Sequence, residues 1–272
     1  MRIGVVAPAG RLQRETAEQF VAFAAARRPD VTIDLHPQCF LSHGHFAGAD
    51  EERLEAFVAF ANDPAFDAIW FARGGYGSNR IAAAAVEQLS APARDKAYLG
   101  YSDLGYMLAA LYKAGFSHLA HGPMPYGISH ADGAAAVARG LDWLADRSET
   151  CLEPTLEPGV PVVAFNLTVL GTLLGTDLEP DLTDHVLMLE DVGEMAYRID
   201  RAMSHLTGQP GMQRLRGIRA GRFAPVPEND PPFGEAPADI VRAWCGRAGI
   251  PFLGAADIGH DAANKVVPFG TR

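Results

Sequence analysis

Short apolar runs alternate with helix-period segments through the first 121 residues, and this alternation restricts the fold more than any other feature of the chain. Strands are predicted over 3–7, 32–35, 68–72, 98–100 and 118–121. Between them lie a helix over 14–28 stopped by Pro29, a helix opening at Asp50-Glu51-Glu52, and a helix over 81–89. The acidic opening suits the positive end of a helix dipole, and Leu54, Phe57, Val58 and Ala61 fall on one face behind it. A strand–helix–strand order of this kind predicts a parallel sheet covered by helices on both faces. Ligands of such sheets bind beyond the carboxyl ends of the strands.

At one of those ends stands Gly100-Tyr101-Ser102-Asp103. The apolar strand stops there, and Leu104, Met107, Leu108 and Leu111 begin a helical spacing at once. A serine on such a turn has two readings. It caps the helix that follows, or its hydroxyl projects above the sheet with helix N–H groups around a developing oxyanion. Arg73-Gly74-Gly75-Tyr76-Gly77 ends the preceding strand. It lacks the Gly-Lys-Ser/Thr of a phosphate loop and the third glycine of a dinucleotide fingerprint. It reads as a tight turn, or as a second source of backbone donors beside Ser102.

The segment 146–161 carries three prolines, mixed charge and no periodicity, and reads as a linker. Domains are therefore expected over 1–145 and 162–272. Strands in the second are predicted over 162–165, 185–190, 217–223 and 252–255, with a helix over 193–206. A Pro-rich loop over 224–238 and a short helix to Ala248 follow, giving a smaller, mixed β-rich unit. Glu190 closes the run Val186-Leu187-Met188-Leu189, where a carboxylate needs a partner. Asp191 and Glu194 lie close by, as a metal pair or a solvated acidic loop. Spacing alone leaves the general base open among His43, His45, His121 and His260, and His43-Gly44-His45 as a weak metal pair.

The balance of 23 Lys and Arg against 33 Asp and Glu, with no basic cluster, argues against nucleic acid or an anionic membrane as partner. Cys39, Cys151 and Cys245 are far apart, so neither a disulfide framework nor a zinc site is expected. The N-terminal run reads as a first strand and not a signal peptide, and no apolar run approaches the roughly 20 residues that span a bilayer. A cytoplasmic protein is the default expectation.

Several blocks in order resemble the LD-carboxypeptidase family of serine peptidases, which includes muramoyltetrapeptide carboxypeptidases and microcin C immunity peptidases. They are Phe46-Ala47-Gly48 before Asp50-Glu51-Glu52-Arg53, Arg73-Gly74-Gly75-Tyr76-Gly77 with Arg80, Gly100-Tyr101-Ser102-Asp103, and His121-Gly122-Pro123-Met124. Asn166-Leu167 with Leu174-Gly175-Thr176, Leu189 to Glu194 with Tyr197-Arg198-Ile199-Asp200-Arg201, and Gly259-His260 complete the set.

The resemblance implies an N-terminal flavodoxin-like domain, a C-terminal β-rich domain, and an active site between them. It implies a catalytic triad of Ser102, Glu190 and His260, with no metal and no cofactor. The backbone N–H groups of Gly75 and Asp103 are expected to form the oxyanion hole, and Arg73, Tyr76 and Asn166 to contact substrate. The implied reaction removes the terminal D-alanine of a murein tetrapeptide in the cytoplasm during peptidoglycan recycling, by a homodimer. A microcin-immunity-type amidase acting on a peptidyl-nucleotide or acyl-amino-acid amide is the enzymatic alternative. A non-catalytic ligand-binding module is the alternative of another class. Family members carry small residues before the asparagine at 166, so Ala164-Phe165 leads to the expectation of a bulky ring beside the cleft and an unusual peptide. The loop 224–238 and the end of the chain soon after Pro268-Phe269-Gly270 also depart from the family pattern.

Overall fold

The computed structural model describes residues 1–271. The expected strands form: β1 (Arg2–Val6), β2 (Thr32–Leu35), β3 (Ala68–Phe71), β4 (Ala97–Gly100) and β5 (Leu119–His121). Along the sheet they run β2-β1-β3-β4-β5, all parallel, which is the flavodoxin-like order. Alternate side chains point to opposite faces. Ile3, Val5, Trp70 and Leu99 pack under helices Arg14–Arg27 and Gly133–Asp146. Val6, Ile69, Phe71 and Tyr98 pack under Asp50–Asn62 and Gly105–Lys113. With both faces covered, β3 and β4 are buried throughout, which is why they read as unbroken apolar runs.

The second unit contains β6 (Val162–Asn166), β7 (Val186–Asp191), β8 (Gly217–Phe223) and β9 (Phe252–Ala255) in that order, all parallel. The α/β class stands, but the strand directions differ from the expected mixed second unit. Helices Leu167–Leu173, Ala196–Thr207 and Pro237–Ala248 pack on one face of this sheet and make the crossovers that parallel pairing needs. The mixed character belongs to the first sheet, where β10 (Val267–Pro268) pairs antiparallel with β5.

The chain thus returns to complete its first sheet, and the segment 146–161 is tied into the fold. Leu152 bridges Val266, and the buried Glu153 carboxylate accepts the Asp257 N–H at 3.0 Å and the Thr155 N–H at 2.7 Å. Phe165 is a second departure from expectation. It is 1% exposed and packs on Phe269 at 5.3 Å between ring centroids, so it belongs to the core that joins the two units. It lies against Gly105, in the helix that follows Ser102, and presents no ring to an open cleft.

Candidate active site

Ser102 follows β4 and has φ 60°, in the left-handed region that L residues other than glycine seldom enter. Holding a non-glycine residue there costs on the order of 1–2 kcal/mol. A capping bond would offset that cost, but neither the short turn Ser102–Leu104 nor the helix Gly105–Lys113 has a side-chain cap. Among the described residues, the Ser102 hydroxyl makes no hydrogen bond, so the helix-cap reading of this serine is overturned. Strain without local compensation, at the carboxyl edge of a sheet, is a pattern that clusters at active sites.

The glycine loop lies directly against it. A Cβ built on Gly74 would stand 2.9 Å from Ser102 Oγ, so only glycine allows this approach. Gly75 is exposed with φ 117°, which turns the chain at the loop tip. Among the described residues, the N–H groups of Gly75 and Asp103 are uncommitted. The Asp103 carboxylate fastens loop to elbow: it accepts the Ser78 N–H at 2.9 Å and the Gly77 N–H at 3.2 Å, while Ser78 Oγ donates to the Asp103 carbonyl at 2.6 Å. Burial raises the Asp103 pKa above the usual carboxylate range against the opposing pull of those amides and Arg53. Arg53 is fully buried, pairs with Asp50, and donates to the Gly77 carbonyl at 2.8 Å.

On the facing unit, the strand pleat separates Glu190 and Asp191. Asp191 turns to the helix Leu167–Leu173: Oδ1 accepts from Asn166 Nδ2 at 2.8 Å, and Oδ2 from the Thr168 N–H at 3.0 Å. Glu194 pairs with Arg198. Among the described residues no group of three or more metal-ligating side chains assembles. Glu190, fully buried, hydrogen-bonds His260 Nδ1 through Oε2. Burial opposes a charge on the His260 ring. The negative charge of Glu190 and its hydrogen bond, then Asp191 and Asp261, outweigh that penalty and raise the pKa above the ordinary histidine value. Arg222 pairs with both Asp257 and Asp261 and braces the loop on either side of His260.

The choice left open among the histidines is thereby narrowed. His43 and His45 sit exposed in a tight turn over 43–46, and His121 is buried at the end of β5. Only His260 meets the buried carboxylate. The ring of Tyr101, the residue before Ser102, lies 4.8 Å from the His260 ring. A cavity lined by Tyr101, Met124, His260 and Asn264 opens between the two units.

The predicted contact residues differ in what they leave free. The Arg73 guanidinium lies 4.2 Å over the Tyr126 ring and donates to the Arg11 carbonyl at 3.2 Å, with no carboxylate partner among the described residues. Tyr76 is 47% exposed at the loop tip beside Phe46 and His45. Asn166 is buried and already occupied, capping its helix by accepting the Val169 N–H at 3.0 Å while donating to Asp191. Sequence reasoning gave Asn264 no role and His121 only that of an alternative base, and both are 1% exposed. Their environment depends on contacts between segments far apart in the chain.

A strained serine over a parallel sheet beside free backbone donors, with a carboxylate-held imidazole against the neighbouring Tyr101 ring, is a set of groups that serine hydrolases use. Among the described residues His260 Nε2 has no hydrogen-bond partner. Residues 3–122 match the LD-carboxypeptidase N-terminal domain, and residues 161–272 the LD-carboxypeptidase C-terminal domain. The chain belongs to the LD-carboxypeptidase family. It is 29% identical to a putative carboxypeptidase of Synechocystis sp., over 100% of this chain and 90% of the relative. It is 25% identical to the murein tetrapeptide carboxypeptidase of Pseudomonas aeruginosa, over 99% and 91%. The crystal structure of muramoyltetrapeptide carboxypeptidase from Oxalobacter formigenes superposes with a TM-score of 0.82 at 21% identity, covering 99% of this chain and 93% of that one. MccF in complex with glutamyl sulfamoyl guanosine gives a TM-score of 0.80 at 17% identity, covering 99% and 91%. The last two likenesses concern the fold.

Proposed function

We propose that the protein is a serine LD-carboxypeptidase that removes the terminal D-alanine of a murein tetrapeptide, acting in the cytoplasm in peptidoglycan recycling as a homodimer. The observation that carries this reading is Ser102 itself, held at φ 60° with a hydroxyl that caps nothing. The P. aeruginosa relative's name supports the substrate.

In this mechanism, Ser102 Oγ attacks the scissile carbonyl while His260 Nε2 accepts its proton. Glu190, on the other ring nitrogen, fixes the tautomer and stabilises the imidazolium. The tetrahedral oxyanion is met by the N–H groups of Gly75 and Asp103, each worth about 2.7–4 kcal/mol of transition-state stabilisation in comparable sites. The C–N bond then breaks, the amine of D-alanine takes the proton from His260, and an acyl-enzyme remains on Ser102. Water, deprotonated by the same imidazole, releases the tripeptide and restores the serine. Arg73 serves the terminal carboxylate, Tyr76 flanks the bound peptide at the loop tip, and Asn166 acts by shaping the cleft wall.

The likeness to MccF favours one second reading, an amidase that cleaves an acyl-amino-acid or peptidyl-nucleotide amide. Incubating the protein separately with murein tetrapeptide and with an aminoacyl sulfamoyl nucleoside, followed by mass spectrometry, distinguishes them. Loss of one alanine from the tetrapeptide is expected. Cleavage of the nucleoside conjugate alone would establish the amidase, and cleavage of neither by folded protein would return the chain to a binding role.

A further inference from the structure

Two buried polar side chains lie behind His260 and take no part in the mechanism above. Asn264 is 1% exposed, and its Oδ1 accepts the Gly259 N–H at 3.1 Å, fixing the backbone of the residue before His260. The Arg139 side chain donates to the Ala262 carbonyl at 3.1 Å and the Asn264 carbonyl at 2.7 Å, so the loop is also held from outside. On its other side, the Asn264 amide faces the His121 ring, which also lies beside the Ala164 backbone of β6. Neither Asn264 Nδ2 nor His121 Nε2 completes a bond of good geometry among the described residues. His260 Nε2 is likewise buried without a partner, and a buried donor and a buried acceptor left open in this way are satisfied by pairing.

His121 stands at the end of β5, opposite Gly100 in the register, and so belongs to the same sheet edge as Ser102. Its ring lies 5.4 Å from that of Tyr101, and Tyr101 in turn lies 4.8 Å from His260. The base loop therefore meets the nucleophile turn through the Tyr101 ring and the neighbouring strand β5 through Asn264. We propose that Asn264, docked on His121, is a positioning residue that sets His260 in register with Ser102 across the two sheets. Asn264 Nδ2 donates to His121 Nε2, and the His121 Nδ1–H faces the Ala164 carbonyl. His121 remains a neutral acceptor, since burial first, then the charge of His260, push its pKa down to about 3.

The proposal rests on the triad reading, so the experiment carries a control for it. Tetrapeptide turnover is measured for wild type, His260→Ala, Asn264→Ala and Asn264→Asp, with melting temperature and the downfield proton resonance of the His260 Nδ1–H. Asn264→Ala is expected to lower kcat by about 10- to 100-fold with KM within about twofold, the scale of a misplaced catalytic group. Its downfield resonance should shift or broaden. Asn264→Asp retains the acceptor for Gly259, loses the donor to His121, and is expected to fold and to show the same direction of change. Full kcat and an unmoved resonance in both Asn264 variants, with His260→Ala inactive, would overturn the positioning role and leave the triad standing. An active His260→Ala would overturn both.

Discussion

Gly74→Ala tests the packing of the glycine loop on the nucleophile. Gly74 is not among the residues with positive φ, so its backbone accepts alanine without strain. The new methyl meets the nucleophile instead, 2.9 Å from Ser102 Oγ and 3.0 Å from Ser102 Cβ, with Met124 Cε at 3.5 Å. Carbon pairs rest at about 3.5–4.0 Å, so the Cβ–Cβ approach is short by about 0.5 Å. Rotating the hydroxyl relieves the first contact but leaves the second, and the elbow backbone has to move. Productive geometry tolerates roughly 0.5 Å of displacement, and a shift of about 1 Å costs on the order of 100-fold in rate. The expected result is a fall in kcat of about 10- to 100-fold, with overpacking costing about 1–3 kcal/mol of stability. D-alanine release and thermal unfolding are measured on the same preparation. A variant with kcat within twofold of wild type and an unchanged melting temperature would refute the contact.

Ser102→Gly should abolish turnover without destabilising the fold, because relief of about 1–2 kcal/mol of left-handed strain offsets about 0.5–1 kcal/mol of added chain entropy. Denaturant unfolding checks it, and a clear loss of stability would contradict the strain argument. Glu190→Gln should lower kcat and move the acid limb of kcat/KM to lower pH, since the base acts unprotonated and loses the carboxylate that raises its pKa. The same raised pKa means that His260 contributes stability fully present below about pH 6.5 and lost as pH rises through the folded-state value. Melting temperatures should therefore show Glu190→Gln more destabilised at pH 6 than at pH 9. Arg73→Ala should raise KM roughly 10- to 100-fold for a peptide with a free terminal carboxylate, the scale of one charge-assisted hydrogen bond. A C-terminal amide analogue should bind wild type and variant alike.

The first sheet was legible because each strand carries its own signal. Runs such as Ala68–Phe71 are buried on both faces, and helices between them enforce parallel pairing. The elbow was legible as a position but not as a conformation, since a capping serine and a strained one share the same flanking pattern. β10 left no mark: two residues, one of them proline, pair only because the returning chain lies beside β5. The prolines of 146–161 suggested a tether, whereas the burial of Glu153 against Asp257 depends on a contact 104 residues away. Phe165 was placed beside a cleft from its neighbour Asn166, but strand alternation turns it into the core opposite Phe269. The triad positions entered through resemblance. Spacing alone could not choose His260 among the histidines, because the carboxylate that meets its loop lies on β7, 70 residues away.

The central claim is that Ser102 is a nucleophile activated by His260. It is tested most directly by treating the folded protein with a fluorophosphonate and locating the adduct by intact-mass and peptide mass spectrometry. One adduct on Ser102 is predicted, absent in Ser102→Ala and strongly slowed in His260→Ala. No adduct, or an adduct on another residue of the folded protein, would contradict the account.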